Sequence, residues 1–264
     1  MKSEQKQTYM TKEIQQYKER HGFEVFDPKA VLFDMDGVLY DSMPNHAKAW
    51  HETMAEYGID MSALDAYRYE GMRGVETIKR VTLKQWGKAV SDKEAEDMYR
   101  VKSEHYSACG NAPLIPNVHE LQQQLHQHGL KIGIVTGSGQ QSLLNRILTD
   151  FDGLVCPDIM VCAKDVKQGK PMPDPYLMGM HKATQVLLQE GLTLPDNELQ
   201  PWQTMVVENA PLGVMAAHAA RCFTVAVNTG PLPDEMLHEA GADIVLPNMQ
   251  ELTNWYTAWA EDRS

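Results

Sequence analysis

The stretch that decides the fold is AVLFDMDGV, residues 30–38, in which an apolar run ends in two aspartates and a glycine. Continuous hydrophobicity of this kind predicts a β-strand that is covered on both faces. Asp34 and Asp36 would then project from the end of a buried strand, where carboxylates are costly without a task. One could coordinate Mg²⁺ and attack phosphorus while the other moves a proton, or both could simply cap a helix and a turn.

Similar apolar runs recur along the chain, at 130–136, 158–162, 204–208, 223–227 and 242–246. Amphipathic patterns typical of helices lie between them. Strands that alternate with helices predict an α/β fold with a doubly wound, Rossmann-like parallel sheet. In such sheets ligands bind at the carboxyl ends of the strands, where the polar clusters of this sequence fall.

One segment interrupts this alternation. Residues 44–111 are rich in charged, helix-favouring residues and contain no comparable apolar run, so we interpret them as an inserted helical-bundle cap domain. The catalytic core would be discontinuous, comprising residues 28–43 and 112–264. Residues 1–27 form a polar extension with one potential surface helix, for which we expect no catalytic part.

Composition restricts the class of function. The chain has 264 residues, 43% of them apolar, and a formal net charge of −12, which argues against nucleic acid as the partner. Four cysteines without paired spacing indicate a reducing, cytoplasmic location. No segment resembles a signal peptide or a membrane span, so we expect no membrane partner. The oligomeric state stays open, with a monomer compatible.

Two further clusters could handle phosphate. Thr136, Gly137 and Ser138 follow an apolar run and precede a helix that is predicted to start near Gln140, so their N–H groups form either an anion site or a plain helix cap. Lys170 lies in GKPMPDP, residues 169–175, where three prolines restrict the backbone. A rigid lysine there could neutralise phosphoryl oxygens, or it could be an ordinary loop lysine.

The last cluster is VVENAP, residues 206–211, where another apolar run ends in Glu208 and Asn209. It predicts either a cation site at a strand end or a polar turn that starts a helix at Pro211.

Taken in order, these clusters resemble the haloacid dehalogenase superfamily of phosphohydrolases and phosphomutases, in the branch with a helical cap after the first strand. The resemblance covers about residues 28–260. It implies that Asp34 is a nucleophile that forms an aspartyl-phosphate and binds Mg²⁺. Asp36 would be the general acid and base, with its backbone carbonyl also on Mg²⁺, and Lys170 would bridge Asp34 and the phosphoryl group.

The resemblance also implies the ligands around these residues. Thr136, with the backbone of Gly137 and Ser138, would hold the transferring phosphoryl group. Glu208 and Asn209 would complete the Mg²⁺ shell. Many relatives have aspartate at the second position, so Asn209 removes one negative charge and should weaken the intrinsic affinity for Mg²⁺.

The cap offers two competing interpretations. His46, in NHAKAW, and Lys102 resemble cap residues of β-phosphoglucomutases, which favours a mutase or a phosphatase related to one. The loop YEGMRG, residues 69–74, differs, because Gly74 stands where the mutases have an arginine for the distal phosphate and Arg73 lies one residue early. Glu70 resembles a glutamate that reaches Mg²⁺ in the inorganic pyrophosphatases of this branch.

From the sequence we therefore expect a Mg²⁺-dependent phosphohydrolase that acts through an aspartyl-phosphate on a small phosphorylated substrate, pyrophosphate favoured. Phosphate-binding roles fall to Thr136, Gly137 and Ser138 in the core, and to His46, Arg73 and Lys102 in the cap. A β-phosphoglucomutase is the main alternative, and a phosphate-binding protein without turnover is a more distant one.

Overall fold

The protein is built on one six-stranded parallel sheet, with strand order β3-β2-β1-β4-β5-β6. The structure is a computed structural model that describes residues 2–138 and 141–261, apart from the side chains of 2–11, 141 and 142. All six predicted strands are confirmed. They are β1 Ala30–Phe33, β2 Lys131–Val135, β3 Val155–Val161, β4 Thr204–Glu208, β5 Phe223–Val227 and β6 Ile244–Leu246.

Helices cover both faces of the sheet and form the insert after β1. They are α1 Lys2–His21, α2 Met43–Glu56, α3 Ala63–Arg68, α4 Gly74–Trp86, α5 Asp92–Ala108, α6 Val118–Gln127, α7 Gln141–Asp150, α8 Asp174–Gln189, α9 Pro211–Ala219, α10 Asp234–Glu239 and α11 Met249–Glu261. The predicted helix start at Gln140 lies outside the described residues. None of the helices described is both long enough and apolar enough to span a bilayer.

The side chains of β1 alternate between the two faces of the sheet, which explains why a layer of helices is needed on each face. Val31 and Phe33 belong to the apolar cluster on one face, and Ala30 and Leu32 belong to the cluster on the other. Successive side chains of a strand point to opposite faces, so a strand that is apolar at every position is stable only between two layers of helices.

The insert has an apolar core of its own, which includes Trp50, Met54, Ile78 and Met98. Of its four helices, α3 to α5 lie within the segment that the sequence predicts to be helical, and α2 begins one residue before that segment, at Met43. The two linkers to the core run side by side, and the N–H of Asp41 donates to the carbonyl oxygen of Pro113 at 2.9 Å. We propose 44–111 as the cap domain and 28–43 with 112–264 as the catalytic core.

The N-terminal extension packs on the core through the end of α1. Tyr17 is fully buried, its ring lies edge-on to Phe223 at 5.3 Å, and its hydroxyl donates to the carbonyl oxygen of Arg221 at 2.9 Å. Burying an aromatic ring of this size contributes about 2 kcal/mol. The helix expected in residues 1–27 therefore covers part of the sheet, far from the strand ends that carry Asp34.

The direction in which the strands are added reverses between β1 and β4. Phe33 of β1 is in register with Ile134 of β2 and Val207 of β4. The residues after these three positions therefore meet at one edge of the sheet, in the crevice where ligands of doubly wound sheets bind.

Candidate active site

Three charged side chains are buried together in this crevice. Asp34 follows β1, Glu208 ends β4, and Lys170 comes from the loop before α8; they are 4%, 1% and 2% exposed. The Lys170 ammonium donates to Oδ1 of Asp34, to Oε1 of Glu208 at 2.6 Å and to the carbonyl oxygen of Val135 at 3.3 Å. The predicted contact between Lys170 and Asp34 is present, and the lysine is shared by two carboxylates.

Both oxygens of Glu208 have partners besides Lys170. The hydroxyl of Tyr176 donates to Oε1 at 2.5 Å, and the backbone N–H of Asn209 donates to Oε2 at 3.0 Å. Sequence analysis missed Tyr176; its only signal is that it follows the proline-rich Lys170 loop. Glu208 therefore fixes the lysine in place. Because both of its oxygen atoms already accept hydrogen bonds, it would act on a cation mainly through its negative charge.

Burial and neighbouring charges shift the proton affinities of this cluster. Burial raises the pKa of Asp34 to about 7, with Glu208 and Asp36 adding to the rise and Lys170 opposing it. Burial alone would lower the pKa of Lys170, but the charges of Asp34 and Glu208 hold it above its usual range. The site has a firmly protonated lysine beside a carboxylate whose charged form needs a further cation.

The second aspartate is held by a chain of hydrogen bonds that crosses into the cap. The Ser42 hydroxyl donates to Oδ1 of Asp36 at 2.6 Å, and Nε2 of His46 lies 3.2 Å from the same oxygen. The Lys102 ammonium donates to Nδ1 of His46 at 2.7 Å. This network assigns a neutral His46 that accepts from the lysine and donates to the aspartate.

The pKa shifts agree with that assignment. Burial and the Lys102 ammonium lower the pKa of His46, which keeps the ring neutral. Burial alone would raise the pKa of Asp36, but His46 and Ser42 outweigh it and hold that pKa below its usual range. Burial lowers the pKa of Lys102 to about 8, although Glu70 and Asp36 oppose the change.

The turn that is predicted to bind phosphate lies at the end of β2. Thr136 is 4% exposed, its N–H donates to the carbonyl oxygen of Val161, and its hydroxyl oxygen accepts from the N–H of Ser138 at 3.0 Å. Gly137 faces the cap, because a Cβ atom there would lie 3.4 Å from the carbonyl oxygen of Gly71. The turn therefore lies at the interface between the two domains.

Between cap and core lies a cleft with an empty volume of about 610 Å³, part of which is open to solvent. Asp36, Glu70, Lys102 and Gly137 are among its walls. Burial raises the pKa of Glu70 to about 8, and Asp36 and Asp34 contribute to the rise. The cap therefore contributes the carboxyl group of Glu70 to the same cleft that Asp36 lines.

Arg73 is bonded to the core from the cap loop. It is not among the walls of this cleft, but it lines a smaller pocket together with Thr136 and Lys170, and its Nη2 donates to the carbonyl oxygen of Val166 at 2.6 Å. Gly74 is covered by Tyr99, since a Cβ atom on Gly74 would lie 2.0 Å from that ring. The cap loop thus presents Glu70 to the cleft and directs Arg73 to the core.

A model of the haloacid dehalogenase-like hydrolase family matches residues 31–227. The chain belongs to this family. The match includes the two aspartates, Thr136, Lys170 and Glu208, which the fold brings to one edge of the sheet. The cap helices lie inside the matched range, so the insert belongs to the family match as well.

Relatives of this haloacid dehalogenase-like chain include phosphatases and phosphomutases. The chain is 32% identical to hexitol phosphatase A of Escherichia coli, over 85% of this chain and 93% of that protein. It is 27% identical to β-phosphoglucomutase of Bacillus subtilis, over 85% and 92%. A solved structure provisionally described as a β-phosphoglucomutase from Bacteroides vulgatus is 40% identical, with a TM-score of 0.84 over 95% of this chain and 97% of that one.

Within this member of the family, the residues around Asn209 suit a hard cation. Its Oδ1 atom is buried and has no hydrogen-bond partner among the described residues. Gly37 has a φ of +79°, and a Cβ atom there would collide with the Asn209 amide at 1.9 Å, so only glycine fits. An orphaned amide oxygen beside carboxylates fits Mg²⁺, which prefers oxygen ligands.

Histidine, cysteine and acidic side chains do not by themselves form a ready metal cluster of three or more anywhere in the described ranges. A Mg²⁺ site here therefore depends on amide and backbone carbonyl oxygens as well as carboxylates. Burial is the main cause of the raised pKa values of Asp34 and Glu70, and the charge of the neighbouring carboxylates adds to it.

Proposed function

We propose that the protein is a Mg²⁺-dependent phosphohydrolase that transfers a phosphoryl group from a small substrate to Asp34 and then to water. Two separate hydrogen-bond networks support this proposal. In one, the buried Lys170 bonds both Asp34 and Glu208. In the other, Asp36 is linked through His46 to Lys102. Two carboxylates with different environments suit the two roles that the chemistry requires.

In the first half of the reaction Asp34 attacks phosphorus, and the bond between phosphorus and the leaving oxygen breaks as the bond from Asp34 to phosphorus forms. Lys170 bonds Oδ1 of Asp34, which leaves Oδ2 for the attack. The hydroxyl of Thr136 and the backbone of Gly137 and Ser138 would hold the phosphoryl oxygens, and Lys170 would neutralise charge as the aspartyl-phosphate forms. Glu208 and Tyr176 fix the lysine in place.

In the second half Asp36 activates water. Two donors, Ser42 and His46, bond its Oδ1, which favours the carboxylate form and fixes its orientation. A carboxylate in this form is ready to accept a proton from water. Lys102 keeps His46 in the tautomer that donates to Asp36.

The cation would be held by the carboxylate of Asp34, the backbone carbonyl of Asp36 and Oδ1 of Asn209, with Glu70 reaching in from the cap and Glu208 adding charge. When bound, Mg²⁺ would neutralise the phosphoryl oxygens and favour the ionised form of Asp34. We propose that Glu70 compensates for the charge that Asn209 lacks.

For the substrate, we favour pyrophosphate. Asp36 is held as a carboxylate and is poorly placed to protonate a leaving group, whereas phosphate leaves with little help. Arg73 is engaged by Val166 and Tyr99 covers Gly74, so the cleft has no arginine from this loop for a distal sugar phosphate.

A sugar phosphate is the second candidate. The chain from Lys102 through His46 to Asp36 resembles that of the mutases, and the relatives are a hexitol phosphatase and β-phosphoglucomutases. Hydrolysis of a polyol phosphate, or interconversion of β-glucose 1-phosphate and glucose 6-phosphate, would use the same two aspartates.

The test is a comparison of kcat/KM for pyrophosphate, hexitol phosphates and β-glucose 1-phosphate at one Mg²⁺ concentration. We expect pyrophosphate to be preferred and mutase turnover to be absent. Efficient interconversion of the glucose phosphates would reverse this order. If Mg²⁺-dependent phosphate release is absent with every substrate, or if Asp34→Asn leaves it intact, the hydrolase proposal itself fails.

A further inference from the structure

The cap loop, which we define as residues 67–73, meets the core at three glycines. A Cβ atom on Gly230 would lie 2.8 Å from the ring of Tyr67, and one on Gly137 would lie 3.4 Å from the carbonyl oxygen of Gly71. On Gly169 it would lie 3.2 Å from Cγ of Arg73. The contacts at Gly230 and Gly169 are closer than a side chain there would comfortably allow, and the one at Gly137 is an ordinary van der Waals distance, so the core surface fits this loop.

One of these contacts includes a hydrogen bond between the domains. Nη2 of Arg73 donates to the carbonyl oxygen of Val166 at 2.6 Å, and its stem lies on Gly169. A guanidinium that bonds a backbone carbonyl forms one of the stronger kinds of hydrogen bond in proteins. Arg73 therefore fastens the start of α4 to the core segment 166–170.

That segment ends in the catalytic lysine. Gly71 lies against the stem of Lys170, where a Cβ atom on the glycine would be 2.8 Å from Cδ of the lysine. Glu70 is next in the chain, and it faces the cleft above Asp36. The loop that delivers Glu70 and the loop that delivers Lys170 are thus joined by Arg73.

We propose that Arg73 is a positioning residue that holds the cap loop closed on the core, with Tyr67 on Gly230 as the second anchor. Arg73 then acts through Glu70 and Lys170 and has no contact of its own with the substrate. The catalytic consequence rests on the proposed function, whereas the closure of the loop does not.

One donor of Arg73 is committed to the core in the absence of any ligand. Nη2 is bonded to Val166, whereas the buried Nε atom has no partner among the described residues. A ligand in the cleft would have to compete with that bond. The surface fit at Gly169 also places the Arg73 stem on the core side of the loop, where Arg73 lines a smaller pocket together with Thr136 and Lys170.

The experiment measures amide hydrogen exchange in the full-length protein without substrate, in peptides that cover 67–74 and 164–170. Arg73→Met keeps the stem and removes the donors, and we expect roughly tenfold faster exchange in both peptides. Arg73→Lys, which keeps a donor, should recover part of the protection. Gly169→Ala, whose methyl group would push the Arg73 stem away from the core, should also accelerate exchange. In the Arg73→Met/Gly169→Ala double variant, the increase in exchange should be smaller than the sum of the two single effects.

Arg68→Ala is the matched control, because that arginine lies in the same loop, is about half exposed and forms its ion pair with Asp65 within α3. We expect its exchange to equal that of the parent protein. Exchange in Arg73→Met that is also unchanged would overturn the proposal. Because no substrate is present, this outcome is independent of which phosphate the enzyme hydrolyses.

Kinetics supply the second readout. If Arg73 positions the loop, kcat/KM of Arg73→Met should fall by a similar factor for pyrophosphate and for a simple monoester. A fall in kcat/KM confined to substrates with two phosphates, with KM rising and kcat unchanged, would show that Arg73 binds the distal phosphate and would refute the positioning role.

Discussion

Replacing Gly213 with alanine sets two physical effects against each other. Gly213 lies inside α9, where alanine is the better helix former by about 1 kcal/mol. However, a Cβ atom on Gly213 would lie 1.8 Å from Oε1 of Glu208 and 2.1 Å from its Cδ. The carboxylate would have to move, and Oε1 is the atom that accepts from both Lys170 and Tyr176.

We expect the displacement of the Glu208 carboxylate to destabilise the protein more than the higher helix propensity of alanine stabilises it. Removing one partner from a buried ion pair costs about 3–5 kcal/mol, because the remaining charge stays buried. The remaining bond between Lys170 and Asp34 reduces this destabilisation, and the higher helix propensity of alanine offsets about 1 kcal/mol of it. The free energy of unfolding of Gly213→Ala should therefore be lower than that of the parent protein by about 2–3 kcal/mol.

Chemical denaturation and turnover on the preferred substrate measure the two consequences. Met215→Ala, at an exposed position of the same helix, is the control and should change stability by less than about 0.5 kcal/mol. Turnover of Gly213→Ala should fall because Lys170 loses one of its fixing contacts. A variant that is as stable and as active as the parent would show that Glu208 does not hold the lysine.

Three further outcomes are expected. Glu70→Gln should raise the Mg²⁺ concentration for half-saturation in a calorimetric titration roughly tenfold, while Glu76→Gln, on the exposed face of the cap, should leave it unchanged. Lys102→Met should lower kcat by roughly 10²-fold or more with little change in Mg²⁺ affinity; equal effects on both would contradict its place in the proton chain. Burial lowers the pKa values of His21 (to about 4) and His218 in the folded protein. As pH falls below about 6.5, these two histidines therefore bind protons more readily in the unfolded chain than in the folded one. The two histidines should therefore make the parent protein lose more stability between about pH 6.5 and 4 than a His21→Gln/His218→Gln double variant, while the raised pKa values of Asp34, Glu70 and Asp243 act in the opposite direction in both proteins; equal changes of the urea midpoint with pH in the two proteins would refute this.

The sheet and the strand-end residues could be predicted because their signals are local. Apolar runs covered on both faces appear directly in the sequence, and each functional residue of the core directly follows such a run or lies near one. Parallel strands place their carboxyl ends at one edge, so Asp34, Thr136 and Glu208 had to meet. The alternation of helices and strands then determined on which faces the layers lie.

The remaining features depend on contacts between distant parts of the chain. Tyr176 bonds Glu208, and Tyr17 packs against Phe223. Both contacts join segments that lie far apart in the sequence, and no sequence pattern indicates that they meet. Arg73 is a further example, because no sequence pattern indicated that its Nη2 atom bonds the backbone carbonyl of Val166 in the core. Backbone carbonyls carry no sequence signal.

The central claim is that Asp34 becomes phosphorylated and that Asp36 activates the water that removes the phosphoryl group. Asp36→Asn should retain the first step with p-nitrophenyl phosphate, whose leaving group needs no proton, and lose the second. Rapid mixing should then show a burst of p-nitrophenol equal in amount to the enzyme, with the phosphoryl group on the peptide that contains Asp34. The absence of a burst, or a burst that persists in Asp34→Asn/Asp36→Asn, would contradict the covalent mechanism.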